Sequence, residues 1–278
     1  MPFVDYHTHT PLCHHATGEP EEYVQAAIDA KLSEYGISDH APTEVEPFDE
    51  WRMVQKDMPE YFKWIKRAQD YAGDQITIRK GLECDWFLDG KLWIDELNQL
   101  TDWDYLIGSV HYMQTPQELV SVQSKALWDF DNPKWQNDWK NLDADQLWEL
   151  YFATYIDMIE HGGFDICAHP DLVKKFGYLP QRDTSYYFKP VIEALKDTNT
   201  CFEINMAGFS KPCKEQYPQA NFIDMAAKAQ LPIILSSDAH APSEIGRHFD
   251  LGLSLLKQAG FTHTSRFEKR QRYQLTID

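Results

Sequence analysis

The chain has 278 residues, of which 43% are hydrophobic and 14% aromatic, and its formal net charge is −18. This composition is sufficient for a buried core, and the acidic balance argues against nucleic-acid and anionic-membrane partners, which need basic surface. No apolar run is long enough to span a bilayer, and the first residues lack the pattern of a signal peptide. We therefore expect a cytoplasmic protein, and its oligomeric state stays open.

Short apolar runs alternate with amphipathic stretches along the chain. The runs predict strands at residues 3–7, 35–40, 77–86, 105–112, 165–169, 201–206 and 232–237. The amphipathic stretches predict helices at residues 20–33, 50–71, 92–100, 144–161, 185–197, 221–229 and 243–259. This alternation predicts an α/β fold with a parallel sheet. For one domain over residues 1–278, closure into a barrel of the TIM type is more natural than an open sheet.

Histidines stand at or just after the ends of five predicted strands: His7, His40, His111, His169 and His240. The carboxyl ends of parallel strands meet on one face of a barrel, so these residues are expected to be neighbours. His7-Thr8-His9 and Asp238-Ala239-His240 each place two possible ligands on the same side of an extended chain. A single histidine is more often a core residue, but the whole set predicts a metal site at the ends of the strands.

Glu83 follows Gly81 and Leu82 in another apolar strand. Burial of a carboxylate there is costly unless it is paired or binds a cation. An ion pair with Arg79 or Lys80 is the alternative to metal binding. It is the less favoured one, because neighbours on a strand point to opposite faces.

Six segments in this order resemble the polymerase-and-histidinol-phosphatase (PHP) family: His7-Thr8-His9-Thr10, Ser38-Asp39-His40-Ala41-Pro42, Gly81-Leu82-Glu83, Ser109-Val110-His111, Ala168-His169-Pro170 and Ser237-Asp238-Ala239-His240. Residues 129–133 and 207–218 resemble the histidinol-phosphate phosphatase branch of that family. The resemblance implies a distorted (β/α)7 barrel with two to three divalent metal ions, and it leaves zinc, manganese and iron open.

The resemblance also implies three sets of ligands, assigned by position. The first metal would be held by His7, His9, Glu83 and Asp238. Glu83 would bridge to a second metal, completed by His111 and His169. The third metal would be held by His15, His40 and His240. The expected catalytic residues are Glu83, Asp238 and His240, whereas His161, His248 and His263, the last in a polar tail, are expected to bind no metal.

A phosphate group needs positive donors besides the metals. The candidates are Lys211, Arg247, Lys174 and Lys175. The alternative for each lysine is that it is an ordinary charged residue on the surface and binds no phosphate. The substrate that the resemblance implies is L-histidinol phosphate, a small phosphate monoester of histidine biosynthesis. Ser210 stands where the family often has a basic residue, so another monoester or phosphotyrosine is an alternative. A polymerase-associated nuclease or DNA-binding module is less favoured.

Overall fold

The computed structural model describes residues 3–88, 90–119 and 126–277. The helices are α1 Pro20–Asp29, α2 Met58–Ala72, α3 Lys91–Asn98, α4 Ala144–His161, α5 Ser185–Thr198, α6 Ala220–Lys228 and α7 Phe249–Ala259. The strands are β1 Phe3–Asp5, β2 Leu32–Ile37, β3 Thr77–Lys80, β4 Glu83–Asp85, β5 Ile107–Ser109, β6 Met113–Gln114, β7 Leu127–Trp128, β8 Ile166–Cys167, β9 Cys201–Asn205, β10 Ile233–Ser236, β11 His263–Glu268 and β12 Gln271–Thr276. No helix in these three ranges is long and apolar enough to cross a membrane.

Two parallel sheets form the centre of the fold. One has the order β1-β2-β3 and the other the order β10-β9-β8-β5-β4. The two sheets meet along two seams, and an isolated parallel bridge joins them at each one. These bridges are Thr8 with Ala239 and His40 with Glu83. Each central strand segment is followed by a helix, except that β3 and β4 belong to one stretch of chain. This confirms the predicted α/β class with parallel strands, and the interrupted pairing at the seams accounts for a distorted barrel.

Two tyrosines fill the space enclosed by the strands below the candidate site. The rings of Tyr6 and Tyr105 are stacked with centroids 4.7 Å apart. The Tyr105 hydroxyl donates to the backbone carbonyl of Tyr6 at 2.6 Å. A Cβ atom at Gly81 would lie 2.2 Å from the Tyr105 ring, and a Cβ at Gly36 would lie 2.2 Å from its hydroxyl. Glycine is therefore needed at residue 81, in the break between β3 and β4 that precedes Glu83.

Three predicted helix boundaries are wrong. The helix predicted at 20–33 ends at Asp29, and Lys31 has a φ of 59°, which a helix cannot accommodate. The helix predicted from residue 50 begins at Met58. The helix predicted from residue 243 begins at Phe249, because Gly246 and His248 have φ values of 64° and 59°. Residues 50–57 and 243–248 consequently form loops beside the site, which include the short 3₁₀ helix Gln55–Asp57 and most of the 3₁₀ helix Pro242–Glu244.

The C-terminal residues, expected to form a polar tail around His263, form a hairpin of β11 and β12 instead. Its turn is made by Lys269 and Arg270, both with positive φ. Phe267 of this hairpin is buried, and its ring centroid lies 6.4 Å from that of Tyr6. The hairpin therefore covers the end of the barrel opposite the strand carboxyl ends.

Candidate metal centre

Side chains from both sheets come together at the carboxyl ends of the strands. Those that face one another there are His7, His9, His40, Glu83, His111, His169, Asp238 and His240. Glu83 begins β4, and the others lie two to four residues after the end of a strand, where the backbone leaves the sheet and the side chains of neighbouring strands converge. The structure thus brings together the residues that the strand-end pattern selects.

Glu83 lies at the centre of this cluster and is 1% exposed. Its Oε2 atom lies 3.3 Å from His7 Nε2 and 2.8 Å from His40 Nδ1. Its Oε1 atom lies 3.3 Å from His169 Nε2 and 3.8 Å from His111 Nε2. The two oxygens therefore face separate groups of imidazoles, which is the arrangement that a bridging carboxylate needs.

The alternative for Glu83, an ion pair with its strand neighbours, is wrong. Arg79 Nε lies 2.8 Å from Glu34 Oε2, near the C-terminal hairpin. The Nζ of Lys80 donates to the Thr101 hydroxyl at 3.2 Å. Both cations are thus bound elsewhere, and imidazoles surround the Glu83 carboxylate instead.

A third group of imidazoles lies on the outer side of His9. The rings of His9 and His240 are stacked with centroids 4.0 Å apart. The His15 ring lies 4.6 Å from that of His240 and 5.5 Å from that of His40. His15 borders the cavity above the cluster. The neighbouring His14 is exposed, with a φ of 66°.

The donor atoms of these residues fit a cluster of divalent cations. Sets of three whose donor atoms lie within 4.8 Å of one another include His7 with His9 and Asp238, His9 with His40 and His240, and His40 with Glu83 and His111. Among the residues that the structure describes, His7 Nε2, His9 Nε2 and Glu83 Oε2 are buried and, despite their short contacts within the cluster, form no hydrogen bond of suitable geometry. Buried polar atoms are rarely left unpaired in a protein, and mixed imidazole and carboxylate donors suit zinc, manganese or iron.

Three further carboxylates hold the outer nitrogens of the imidazoles. The Nδ1 contacts are His7 with Glu203 at 2.9 Å, His9 with Asp39 at 3.4 Å and His111 with Asp85 at 2.9 Å. Such contacts fix the orientation of each ring and leave Nε2 directed into the cluster. The sequence interpretation gave these carboxylates no role. The signal for Asp85 was its position two residues after Glu83, on the same side of a strand.

The charges in the cluster are strongly coupled. Burial alone would raise the pKa of Glu83 and Asp238, but the surrounding imidazoles hold both pKa values well below their ordinary range. Burial and the neighbouring His9 lower the pKa of His40 and His240 well below the usual value. For His7, nearby carboxylates overcome burial and raise the pKa well above the usual value. Metal binding at His7 would therefore displace a proton, because the neutral imidazole is the form that binds metal.

A cavity of about 430 Å³ opens above the cluster, and three cationic side chains border it. Lys175 Nζ donates to Asp131 Oδ2 at 2.8 Å. Arg247 donates at 2.8 Å to the backbone carbonyls of Ser237 and Asp238. Lys211 forms no ion pair with any described residue, and burial together with Lys175 lowers its pKa. The cavity therefore combines a candidate metal-binding floor with a wall that carries three cationic side chains.

Lys174 does not belong to this wall, so the expectation that it binds substrate is wrong. Its side chain is fully buried. Its Nζ donates to the Gln216 carbonyl at 2.7 Å and lies 3.0 Å from both Asp171 and Glu215. The ammonium group ties two loops together below the cavity, and all its contacts are internal.

The three histidines that were expected to bind no metal lie outside the cluster. His161 is at the C-terminal end of α4, where its side chain contacts Asp157. The ring of His248 lies 5.4 Å from that of Phe209. His263 is the first, exposed residue of β11.

The chain is similar to known proteins in sequence and in fold. Residues 5–207 match the family model described as the PHP domain. A probable histidinol-phosphatase from Deinococcus radiodurans is 35% identical over 268 residues, covering 96% of this chain and 98% of that protein. The HisK crystal structure from Listeria monocytogenes has a TM-score of 0.77 at 24% identity, covering 89% of this chain and 99% of that one. The histidinol phosphate phosphatase structure from Lactococcus lactis, complexed with zinc, L-histidinol and phosphate, has a TM-score of 0.76 at 22% identity, covering 98% of both chains.

Proposed function

Because the chain belongs to the PHP family, we propose that it is a metal-dependent phosphatase that hydrolyses L-histidinol phosphate to L-histidinol and phosphate. The observation that carries this proposal is the position of Glu83 between two groups of imidazoles, below a cavity with a cationic wall. The Deinococcus relative supports the substrate, since it is named a histidinol-phosphatase and matches almost the whole chain. The ligands in the Lactococcus structure are the two products of that reaction together with zinc.

The proposed metal ligands are assigned to three sets by their positions in the family motifs. The first set is His7, His9, Glu83 and Asp238, the second is Glu83, His111 and His169, and the third is His15, His40 and His240. When bound, divalent metals act as Lewis acids that polarise the phosphoryl group and make a water molecule more acidic. Glu83 would keep the first two sets in register, because each of its oxygens faces one of them.

Asp238 and His240 would complete the catalytic group with Glu83. Asp238 is held from outside by Asn205, whose side-chain amide donates to it at 3.1 Å. Because its pKa is held well below the ordinary range, Asp238 stays ionised and can accept a hydrogen bond from the attacking water. His240 borders the cavity, with its Nδ1 3.1 Å from the backbone carbonyl of Asp238 and 3.5 Å from Asp238 Oδ1, so the two side chains are oriented together.

Lys211, Lys175 and Arg247 would bind the phosphoryl oxygens. Their contacts suggest different tasks. Arg247 is engaged with backbone carbonyls and with Glu244, and Lys175 with Asp131, so part of their hydrogen-bonding capacity is already used. Lys211 has its ammonium group available, and a dianionic phosphate would offset the burial and the repulsion from Lys175 that lower its pKa.

We expect purified protein to carry about two to three divalent metal equivalents per chain, because groups such as His7, His9 and Asp238 already offer donor atoms within 4.8 Å of one another. Elemental analysis after purification without added metal measures this content. Removal of the metals by a chelator should abolish turnover, and zinc, manganese and iron added back separately should identify the active metal. Less than about one equivalent, with turnover that resists chelators, would rule out the cluster.

A substrate panel tests the proposed reaction. We expect kcat/KM for L-histidinol phosphate to exceed that for other small monoesters and for phosphotyrosine by about 100-fold or more, because a site that hydrogen-bonds one substrate leaves its polar groups unpaired with another. Single-stranded DNA should remain uncut. A higher kcat/KM for another monoester would replace the proposed substrate but keep the reaction class. Cleavage of DNA with no release of phosphate from monoesters would contradict both.

A further inference from the structure

Arg52 is a buried cation beside the metal centre, and it is only 3% exposed. Its Nε donates to Asp49 Oδ2 at 2.6 Å, and its Nη1 donates to the Ala41 carbonyl at 3.3 Å. Its Nη2 lies 2.8 Å from Asp85 Oδ2. A buried guanidinium is costly unless carboxylates neutralise it, and here two carboxylates from different segments do so. Arg52 therefore ties the loop before α2 to β4, the strand that begins with Glu83.

Asp85 connects Arg52 to a proposed metal ligand. Its Oδ1 accepts a hydrogen bond from the backbone N–H of His111 at 3.2 Å and lies 2.9 Å from His111 Nδ1. With Nδ1 held in this way, His111 Nε2 points into the cluster, 3.8 Å from Glu83 Oε1. The two oxygens of Asp85 thus have separate tasks, one toward the imidazole and one toward the guanidinium.

The same guanidinium also packs on the aromatic side of the cavity. Its central carbon lies 4.3 Å from the centroid of the Trp51 ring. Trp51 borders the cavity, and its ring meets those of His40 and His111 edge-on at 4.8 and 5.4 Å. Tyr112 stacks on Trp51 at 5.8 Å and donates its hydroxyl to Asp49 Oδ2, the oxygen that Arg52 also uses. One cation therefore organises the contacts around two proposed ligands.

We propose that Arg52 is a positioning residue for the metal bound by His111: through Asp85 it fixes the direction of His111 Nε2, and through Trp51 it supports the adjoining side of the site. The inference rests on the metal centre of the proposed function but not on the identity of the substrate. Without Arg52, one oxygen of Asp85 would be buried without a counter-charge, and the carboxylate would no longer be held toward His111.

Zinc affinity measures this role directly. Chelator-stripped protein is titrated with Zn²⁺ in competition with a chromophoric chelator, and the apo melting temperature is recorded in parallel. Arg52→Met should weaken one zinc equivalent about 10- to 100-fold and leave the others unchanged. Arg52→Lys should recover only part of the loss, because an ammonium cannot reproduce the fork that spans Asp49 and Asp85.

The matched control is Arg79→Met, which removes another arginine paired with carboxylates, at the hairpin end of the barrel. It should lower the apo melting temperature without changing zinc affinity. Wild-type zinc affinity in Arg52→Met would overturn the inference, and so would an equal loss in Arg79→Met. If Arg52→Met does not fold, Arg52→Lys decides: one weakened equivalent supports the inference, and unchanged affinity overturns it. Wild-type protein that binds no zinc, manganese or iron would defeat the proposed function instead.

Discussion

Replacement of Glu83 by glutamine is expected to lower kcat/KM for L-histidinol phosphate by about 1,000-fold or more and to remove at least one metal equivalent. Glutamine keeps the size of the side chain but exchanges one carboxylate oxygen for an NH₂ group. Because the two Glu83 oxygens face opposite groups of imidazoles, either orientation of the amide leaves one group without its carboxylate oxygen. Steady-state kinetics and elemental analysis on the same preparation measure both effects.

The control for Glu83→Gln is Glu34→Gln, the same change at a buried glutamate that pairs with Arg79 at the other end of the barrel. This variant is expected to be less stable but to retain its metals and, once folded, its turnover. Equal turnover in the two variants would mean that Glu83 does not bridge. A loss of turnover in Glu83→Gln at normal metal content would assign Glu83 to the chemistry rather than to metal binding.

The proposed metal ligands could be predicted because several of them lie close together in the sequence, at the ends of predicted strands. His7 and His9, like Asp238 and His240, are two residues apart, and each pair follows directly after an apolar run. Since parallel strands bring their carboxyl ends to one face, short sequence patterns were sufficient to place these side chains together. The ligand roles themselves stay predictions, which metal content and the Glu83 variant test.

The residues that hold the proposed ligands in place could not be predicted, because their partners come from other strands and loops. Glu203 contacts His7 across the barrel, from a position 196 residues away. Arg52 was assigned to a predicted helix, whereas the chain forms a loop there that buries its guanidinium against Asp85. Nothing in the local pattern of Arg52 distinguishes it from an ordinary charged side chain, whereas Glu203 stands between Phe202 and Ile204 in a predicted strand, as Glu83 does in another.

Local signals also explain which elements were found. Helix α4 was predicted with its observed bounds, because Asp143 caps it by accepting hydrogen bonds from the backbone N–H groups of Asp145 and Gln146. The C-terminal hairpin was missed because its turn consists of Lys269 and Arg270 at φ values of 48° and 63°. Such turns usually carry asparagine or glycine, and the sequence shows neither there.

Replacement of Lys211 by methionine is expected to lower kcat/KM for L-histidinol phosphate about 10- to 100-fold, with normal metal content. Methionine keeps an unbranched side chain but removes the ammonium group, so the change reports on charge more than on packing. Lys211 borders the cavity and forms no ion pair in the described part of the chain. Loss of one donor to a group that gains charge in the transition state typically costs about 100- to 1,000-fold. The openness of the cavity to solvent places Lys211 toward the lower end.

Lys214→Met is the matched control, since Lys214 lies in the same loop, is exposed and does not border the cavity. It should change kcat/KM less than about twofold. If Lys211 binds the phosphate more tightly in the transition state than in the substrate, kcat falls; a rise in KM alone would indicate ground-state binding only. Unchanged kinetics in Lys211→Met would assign the phosphate to Arg247 and Lys175. The internal contacts of those two residues would then have to rearrange when substrate binds.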